Sequence, residues 1–396
     1  MEPLIKRYER RLAQTSTDFV RYLHDRIDWK LRLIVITGGR GSGKSTMLLQ
    51  RLKKGFPGSK KALYISLDDI WFETNTLLDL AEHFHEAGGR YLYIDEVHKY
   101  KRWSKELKTI YDTMADLRCV VTGSSALDIL GGEADLSRRA AHYYLHGMSL
   151  REFMVFEKEI DMPLLRLDDI LENHQEIAAD FYDRADMLKT FKQFLVKGCY
   201  PFFKESGGMY LPRLASVVNL VLETDIPAIY PIDYSTVRNM RKLLAIISQS
   251  VPFKPNITNL SREAGINRNM VLKLIDILDH AGILIALRSP IKGLSYLTKP
   301  EKIFLDNTNL MHALVETPNI GHLRETFFLN QVEAVHEVHI PKYGDFLVDG
   351  KHIFEVGGSG KSPAQMADIP EAYFALDGIK GGSGKRIPLW LFGFLY

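Results

Sequence analysis

The chain of 396 residues has only two cysteines, Cys119 and Cys199. Two thiols cannot build a disulfide framework or a structural zinc cluster. Both sit in apolar runs (Arg118-Cys119-Val120-Val121 and Gly198-Cys199-Tyr200-Pro201) and read as core filler. Net charge is also nearly missing: 51 basic residues face 49 acidic ones, a formal +2. There is no bulk pull toward nucleic acid or an anionic membrane, so any such site must be a local patch. No apolar run approaches the ~20 residues that cross a bilayer. Met1-Glu2-Pro3-Leu4-Ile5-Lys6-Arg7 lacks the apolar stretch of a secretion signal. The expected home is a reduced cytoplasm, with no membrane partner. An Asn-Lys-x-Asp signature is absent, which disfavours a guanine-selective protein. What is present, 46% hydrophobic and 25% charged residues, is ordinary globular composition. The length suggests about two to four domains at roughly 100–200 residues each.

Residues 4–27 read as one amphipathic helix, with Leu4, Tyr8, Leu12, Phe19, Tyr22 and Leu23 at helical spacing. Short apolar, β-branched runs follow. They predict strands at 31–37, 62–67, 91–95 and 118–122, with a fifth candidate at 141–146. Helical stretches at about 44–54, 75–88 and 103–116 lie between them. Apolar strands alternating with helices argue for a parallel sheet covered on both faces, an α/β fold. After about residue 150 the period is mostly helical. Strands return at 302–305, 345–348, 352–356 and 389–392, and the Gly/Ser-rich stretches 357–362 and 381–384 read as loops.

Gly38-Gly39-Arg40-Gly41-Ser42-Gly43-Lys44-Ser45 fits G-x-x-x-x-G-K-[ST] between a strand and a helix. Glycines let the backbone curl so that successive N–H groups face phosphates, and the helix that follows adds its N-terminal partial charge. Gly38 through Thr46 are the candidate nucleotide-binding residues. Lys44 would neutralise the β- and γ-phosphates, and Ser45 would hold Mg²⁺. Gly-Ser-Gly-Lys recurs at 358–361 and 382–385, but there the first glycine or the hydroxyl position is wrong, so both copies read as turns. Asp95-Glu96 closes the third strand. Asp95 would join Ser45 at the metal, and Glu96 would orient and deprotonate the attacking water. His98 and Lys99 follow directly, each also readable as a solvated loop residue. The fourth strand ends in Thr122-Gly123-Ser124-Ser125, where Ser124 either contacts the γ-phosphate or water, or caps the next helix. Ser137-Arg138-Arg139 is an arginine pair that can serve a γ-phosphate in its own subunit or a neighbour, or simply lie on the surface. Asp68 and Asp69 end the second strand in an undetermined role.

Asn256–Gly265 reads as a short helix with a glycine stop, and Arg268–Ala281 as a second one. Ile283–Leu287 then reads as a strand. Helix, tight turn, helix, strand is the pattern of a winged helix-turn-helix. Asn267, Arg268, Asn269 and Lys273, with Arg262, Arg288 and Lys292 nearby, would meet phosphates and base edges of DNA. The other reading is a packing module. His83 with His85, and His336 with His339, lack further ligands at metal spacing and read as solvated or core histidines.

The chain resembles a prokaryotic family of AAA-type (AAA+) P-loop ATPases whose C-terminal half carries a domain related to the PD-(D/E)xK nuclease fold. The resemblance runs through the P-loop, Ile65-Ser66-Leu67-Asp68-Asp69, Tyr93-Ile94-Asp95-Glu96, Thr122-Gly123-Ser124-Ser125 and Met148-Ser149-Leu150-Arg151-Glu152-Phe153. It continues through Gly198-Cys199-Tyr200-Pro201, Asp225-Ile226, Lys302–Asp306, Arg324-Glu325, Asp345–Val348 and Phe354-Glu355-Val356. It implies ATP binding and hydrolysis with Mg²⁺ on an AAA+ core, and singles out Arg139 over Arg138. It also implies that Glu325, Asp345 and Glu355 stand where the nuclease acids would be. The nuclease lysine position, two residues after Glu355 on the same strand face, is Gly357. Lys361 lies further on in a Gly/Ser loop, and nothing in the sequence requires it to fold back. The domain is therefore expected to be degenerate, kept for binding or assembly.

The expected organisation is an ATPase domain at 1–155, a helical lid and winged helix at 156–298, and a nuclease-like α/β domain at 299–396. The expected activity is Mg²⁺-dependent ATP hydrolysis coupled to DNA binding or remodelling. A slow nucleotide-gated switch acting through protein contacts and a weak metal-dependent nuclease are the alternatives. Arg139 acting across subunits would make the protein an oligomer.

Overall fold

The structure, a computed structural model, describes residues 2–125, 136, 138–288, 299–361 and 369–396. The chain forms two compact units. One is Met1–His146 with Leu220–Asp233, and the other is Gly147–Asn219 with Tyr234–Tyr396. The segment 220–233 therefore belongs to the first unit although its neighbours on both sides belong to the second.

The first unit is built on a five-stranded sheet. Its strands are β1 (Leu33–Thr37), β2 (Ala62–Ser66), β3 (Tyr91–Asp95), β4 (Arg118–Thr122) and β5 (Ala141–Tyr144). They pair in the order β2-β3-β4-β1-β5, and every pairing is parallel. The alternation of strands and helices thus folds as expected. Burial explains why the strands read as continuous apolar runs. Leu33 and Val35 enter one core with Leu63, Ile65, Leu92, Ile94, Cys119 and Val121. Ile34 and Ile36 enter the other with Tyr64, Tyr93 and Val120. Successive residues face opposite sides, so a sheet covered on both sides needs both parities apolar. Each buried Leu or Ile contributes on the order of 1.5–3 kcal/mol. Because all five strands run the same way, Thr37, Ser66, Asp95 and Thr122 finish at one edge.

The single helix expected at 4–27 is two helices, Glu2–Gln14 and Leu23–Arg26. Thr15-Ser16-Thr17-Asp18 breaks it. Ser16 donates its hydroxyl to Asp18 at 2.8 Å, and Thr15 turns its hydroxyl back to the Arg11 carbonyl. Such side chains compete with the helical ladder. Gln50 and Lys53 take up the freed carbonyls of Ser16, Phe19, Ala13 and Thr15.

The second unit opens with the helix Leu150–Lys158, started by a capping box between Ser149 and Glu152. Further helices include Leu167–Arg184, Met187–Lys197 and Tyr234–Ser248. Ile257–Ala264 and Arg268–His280 follow, the first closed by Gly265 in the left-handed region (φ 72°). β6 (Leu284–Leu287) pairs antiparallel with β7 (Lys302–Leu305). A mixed five-stranded sheet follows, with β8 (Val338–His339), β9 (Phe346–Val348), β10 (His352–Gly358), β11 (Ala372–Asp377) and β12 (Arg386–Pro388) in reverse chain order. Phe328 anchors its core, stacked on Phe346 and touching Phe354 and Phe392. The strand expected at 389–392 is instead a fully buried 3₁₀ helix, Leu389–Phe394. A short run apolar on every side carries no period with which to tell strand from buried helix.

Candidate functional site

The glycine-rich turn leaves β1 at the edge where the strands finish. Gly38 has φ 151°, and a Cβ there would lie 2.4 Å from the Leu145 carbonyl oxygen, so only glycine fits between β1 and β5. Gly41 and Gly43 also take positive φ, and Gly43 directly precedes the helix Lys44–Gly55. The turn is braced from behind. Arg21, buried, donates from Nη1 to the Ser42 carbonyl and from Nη2 to the His146 carbonyl at 2.8 Å.

Lys44, buried, donates to the carbonyls of Gly38 and Gly39 at 2.7 and 3.0 Å. Burial pushes its amine below the usual range. The negative charges of Glu96, Asp95 and Asp225 pull it back up, and Arg40 adds to the depression. Asp95 is 2% exposed. One carboxylate oxygen accepts from the Thr122 hydroxyl and the other from the Tyr64 phenol at 2.6 Å. Burial and then the Asp95 charge hold the Tyr64 phenol far above its usual range, so it stays a donor. Glu96 has φ 56°, unusual for a residue with a Cβ. Strain of this kind costs of order 1–3 kcal/mol and clusters at functional sites.

His98, expected as a solvated loop residue or a site residue, is buried. Its Nδ1 faces the Ser124 N–H at 3.4 Å. That leaves the Nε2 side, 3.3 Å from Glu96 and 3.6 Å from Asp225, to carry the proton in the neutral ring. Asp225 is 1% exposed and lies in a π-helical turn, Val221–Asp225. Arg40 Nη1 donates to both its oxygens at 2.9 and 3.0 Å, and Lys99 Nζ to one at 3.0 Å. Burial raises this carboxyl, but His98, Arg40 and Lys99 outweigh it and hold it well below the carboxylate range.

The residues suit a polyphosphate and a magnesium ion. Ser42 Oγ and Ser125 Oγ are buried with no partner among the described residues, and buried hydroxyls normally have one. Ser45, half-buried, makes no hydrogen bond through its hydroxyl among those residues, and Thr46 is exposed. Lys44, Asp95, Glu96 and Arg40 are brought together, and Ser124 joins them through its backbone.

Arg139 is not brought there. Its guanidinium pairs with Asp112 at 3.0 Å and lies over the Tyr111 ring. Asp112 is in the last turn of Trp103–Thr113, which runs back toward the edge where β4 starts, and Arg139 immediately precedes β5. That edge lies away from the P-loop. Ser137 lies outside the described residues. Asp69 pairs with Arg7 at 2.7 Å and caps a 3₁₀ turn through the Trp71 N–H.

Sequence reasoning passed over Arg21 and Tyr64. It cited Asp225 only within the family resemblance, without a role. Arg21 sits in the stretch misread as continuous helix, and Tyr64 reads as a core position of β2. No local signal marks either.

The second unit holds two further clusters. Lys361 folds back: its Nζ is 2.5 Å from Glu355 and 3.7 Å from Asp345. A Cβ on Gly357 would lie 2.4 Å from the Lys361 chain, so Lys361 fills the space a side chain at 357 would take. Glu325 pairs with Lys302, and burial raises its carboxyl, helped by Asp345. On the helix pair, Asn267, Arg268, Asn269 and Lys273 are exposed. Arg288 does not join them, because Asp279 and Asp276 hold it at 2.7 and 3.2 Å. Lys292 lies outside the described residues. His85 pairs with Asp116 and His336 with Asp349.

Residues 30–154 match the family described as AAA domain, and residues 188–320 match a domain of unknown function (DUF8612). An uncharacterised protein of Methanocaldococcus jannaschii is 26% identical over 300 residues, covering 71% of this chain and 62% of its own. The chain thus matches less than two thirds of that relative's length. Among solved structures, AMPPCP-bound DnaA from Aquifex aeolicus is 14% identical, covering 65% of this chain and 84% of its own at a TM-score of 0.28. The Aeropyrum pernix ORC1 protein in complex with DNA is 13% identical, covering 79% and 92% at 0.33. Superpositions this loose carry no functional argument. The AAA-domain match and the strand order give the first unit the α/β fold of P-loop NTPases.

Proposed function

We propose that this protein binds ATP in the Gly38–Thr46 cradle and hydrolyses it. The observation that carries the reading is the convergence on Lys44 of a glycine turn and two carboxylates, Asp95 and Glu96, from the end of β3, two strands away in the sheet. Lys44 and the backbone N–H groups hold the phosphates. Ser45 and Asp95 would hold Mg²⁺, which when bound supplies charge neutralisation at the phosphate oxygens. Glu96 takes a proton from water as the water oxygen bonds to Pγ and the bond from Pγ to the bridging oxygen breaks, leaving ADP and phosphate. Asp95 is already fixed by Thr122 and Tyr64, so little reorganisation is asked of it. Glu96→Gln is expected to keep ATP binding and lose about 10²-fold or more in turnover. Unchanged turnover would remove Glu96 from the chemistry.

The partner favoured by this reading is DNA, met by the exposed polar end of Arg268–His280. This reading assigns Arg139 to a neighbouring subunit's nucleotide, supported by its position at the sheet edge away from the P-loop of its own chain. A mobility shift that weakens steeply with salt supports the DNA contact; no shift at any salt favours a switch that signals through protein contacts.

One observation favours a second activity. Lys361 replaces in space the lysine missing at 357 and meets Glu355 and Asp345. That trio supports a weak metal-dependent phosphodiesterase. Cleavage of DNA in Mg²⁺ or Mn²⁺ that disappears in the Asp345→Ala, Glu355→Ala double variant would establish it. Cleavage that persists there would come from elsewhere.

A further inference from the structure

Two cationic side chains and a histidine of the first unit converge on one buried carboxylate. Arg40 comes from the crown of the phosphate turn, Lys99 and His98 from just beyond the acid pair, and all three meet Asp225. Arg40 and Asp225 both act on the charge of Lys44, so the cluster borders the place a γ-phosphate takes in the proposed function, on which this inference rests. The carboxylate is supplied by a π-helical turn, a rare geometry frequent at functional sites. That turn lies in the one segment, 220–233, which the first unit takes from the midst of the second.

We infer that Asp225 is an internal competitor of the γ-phosphate: it holds Arg40 and Lys99, and ATP takes them from it. A γ-phosphate carries more negative charge than a carboxylate and offers three oxygens, so it is the stronger partner for two cations at comparable distance. Losing them leaves Asp225 a buried charge with His98 alone, which is unfavourable, so the segment carrying it loosens. ADP has no γ-phosphate and leaves the contacts intact. The docking of 220–233 and the affinity for ATP are then reciprocally linked. His98 is the positioning residue between the two states, since the same Nε2 faces Glu96 and Asp225.

Two measurements test this. Hydrogen exchange on the full chain, with β,γ-methylene ATP and separately with ADP at saturation, reads the segment without a variant. Faster exchange across 220–233 with the triphosphate than with ADP is expected; equal exchange overturns the inference. Calorimetry on Asp225→Asn reads the competition itself. The variant is expected to bind the ATP analogue about 5- to 50-fold more tightly while ADP affinity moves less than about twofold. A merely structural residue would shift both nucleotides together, and that result also overturns it. If the wild-type chain takes up neither nucleotide, the proposed function fails first; uptake without these differences removes only the role of Asp225.

Discussion

Arg40, in the middle of the phosphate turn, grips both carboxylate oxygens of Asp225 at 2.9 and 3.0 Å across 185 residues of sequence. The turn is thereby tied to a segment that local pattern would assign to another part of the chain. The same site shows how this fold divides labour. Sheet edges supply the chemistry in short local motifs, and distant residues set the orientation and charge of those motifs.

Arg21 is the clearest case of support from a distance. It is buried and donates to the carbonyls of Ser42 and His146. Arg21→Ala removes both of these bonds, and charge-assisted bonds contribute about 1.5–3 kcal/mol each. We expect a stability loss of about 3 kcal/mol in denaturant melts and weaker ATP binding. Arg21→Lys should recover only part of it, since an ammonium lacks the fork that spans two carbonyls.

Neighbouring glycines should behave oppositely. Gly38→Ala drives a Cβ to 2.4 Å from the Leu145 carbonyl, whereas a Cβ on Gly39 meets nothing within 4 Å. Thermal melts without nucleotide should show Gly38→Ala destabilised by about 2 kcal/mol or more and Gly39→Ala close to wild type. Equal melting would remove the steric account of the β1 exit.

Asp306 makes stability pH-dependent in the second unit. Burial pushes its carboxyl up to about 7, against ~3.9 in an unfolded chain. The folded state keeps a proton that the unfolded chain gives up, so this stabilisation is full below about pH 4 and drains away as pH rises to 7. Asp306→Asn cannot ionise, and Asn307 still finds an oxygen to donate to. The variant should match wild type in melting temperature near pH 4 and exceed it increasingly toward pH 8. A constant difference across that range would contradict the raised carboxyl.

The helix pair gives a graded prediction. Arg268 and Lys273 are exposed, whereas Arg288 is held by Asp276 and Asp279. Arg268→Gln and Lys273→Gln should each reduce the salt slope of DNA binding by about one. Arg288→Gln should leave the slope alone and lower the melting temperature.

These residues also show what the sequence made legible. The parallel sheet was readable because both faces of β1–β4 are covered, which forces unbroken apolar runs. The P-loop and Asp95-Glu96 were readable because their chemistry needs adjacent residues. Asp225, Arg21 and Lys361 act across the fold, and only the chain path decides what they meet. Arg288 was misjudged because a cation's use depends on whether a carboxylate such as Asp279 reaches it first. The apolar run 389–392 had no period to read, and the Thr15–Asp18 turn was hidden under helically spaced apolar residues on both sides.

The ATP hydrolysis proposed for this protein and the role inferred for Asp225 both require the Gly38–Thr46 turn and Lys44 to bind a nucleoside triphosphate. Isothermal titration of Mg·ATP into the 396-residue chain, paired with the same titration of Lys44→Ala, decides this. One site per chain is expected, with a dissociation constant in the micromolar range (~10⁻⁶–10⁻⁴ M), lost in the variant while its circular dichroism and melting remain native. No heat with folded wild-type protein, or undiminished uptake by Lys44→Ala, would contradict it.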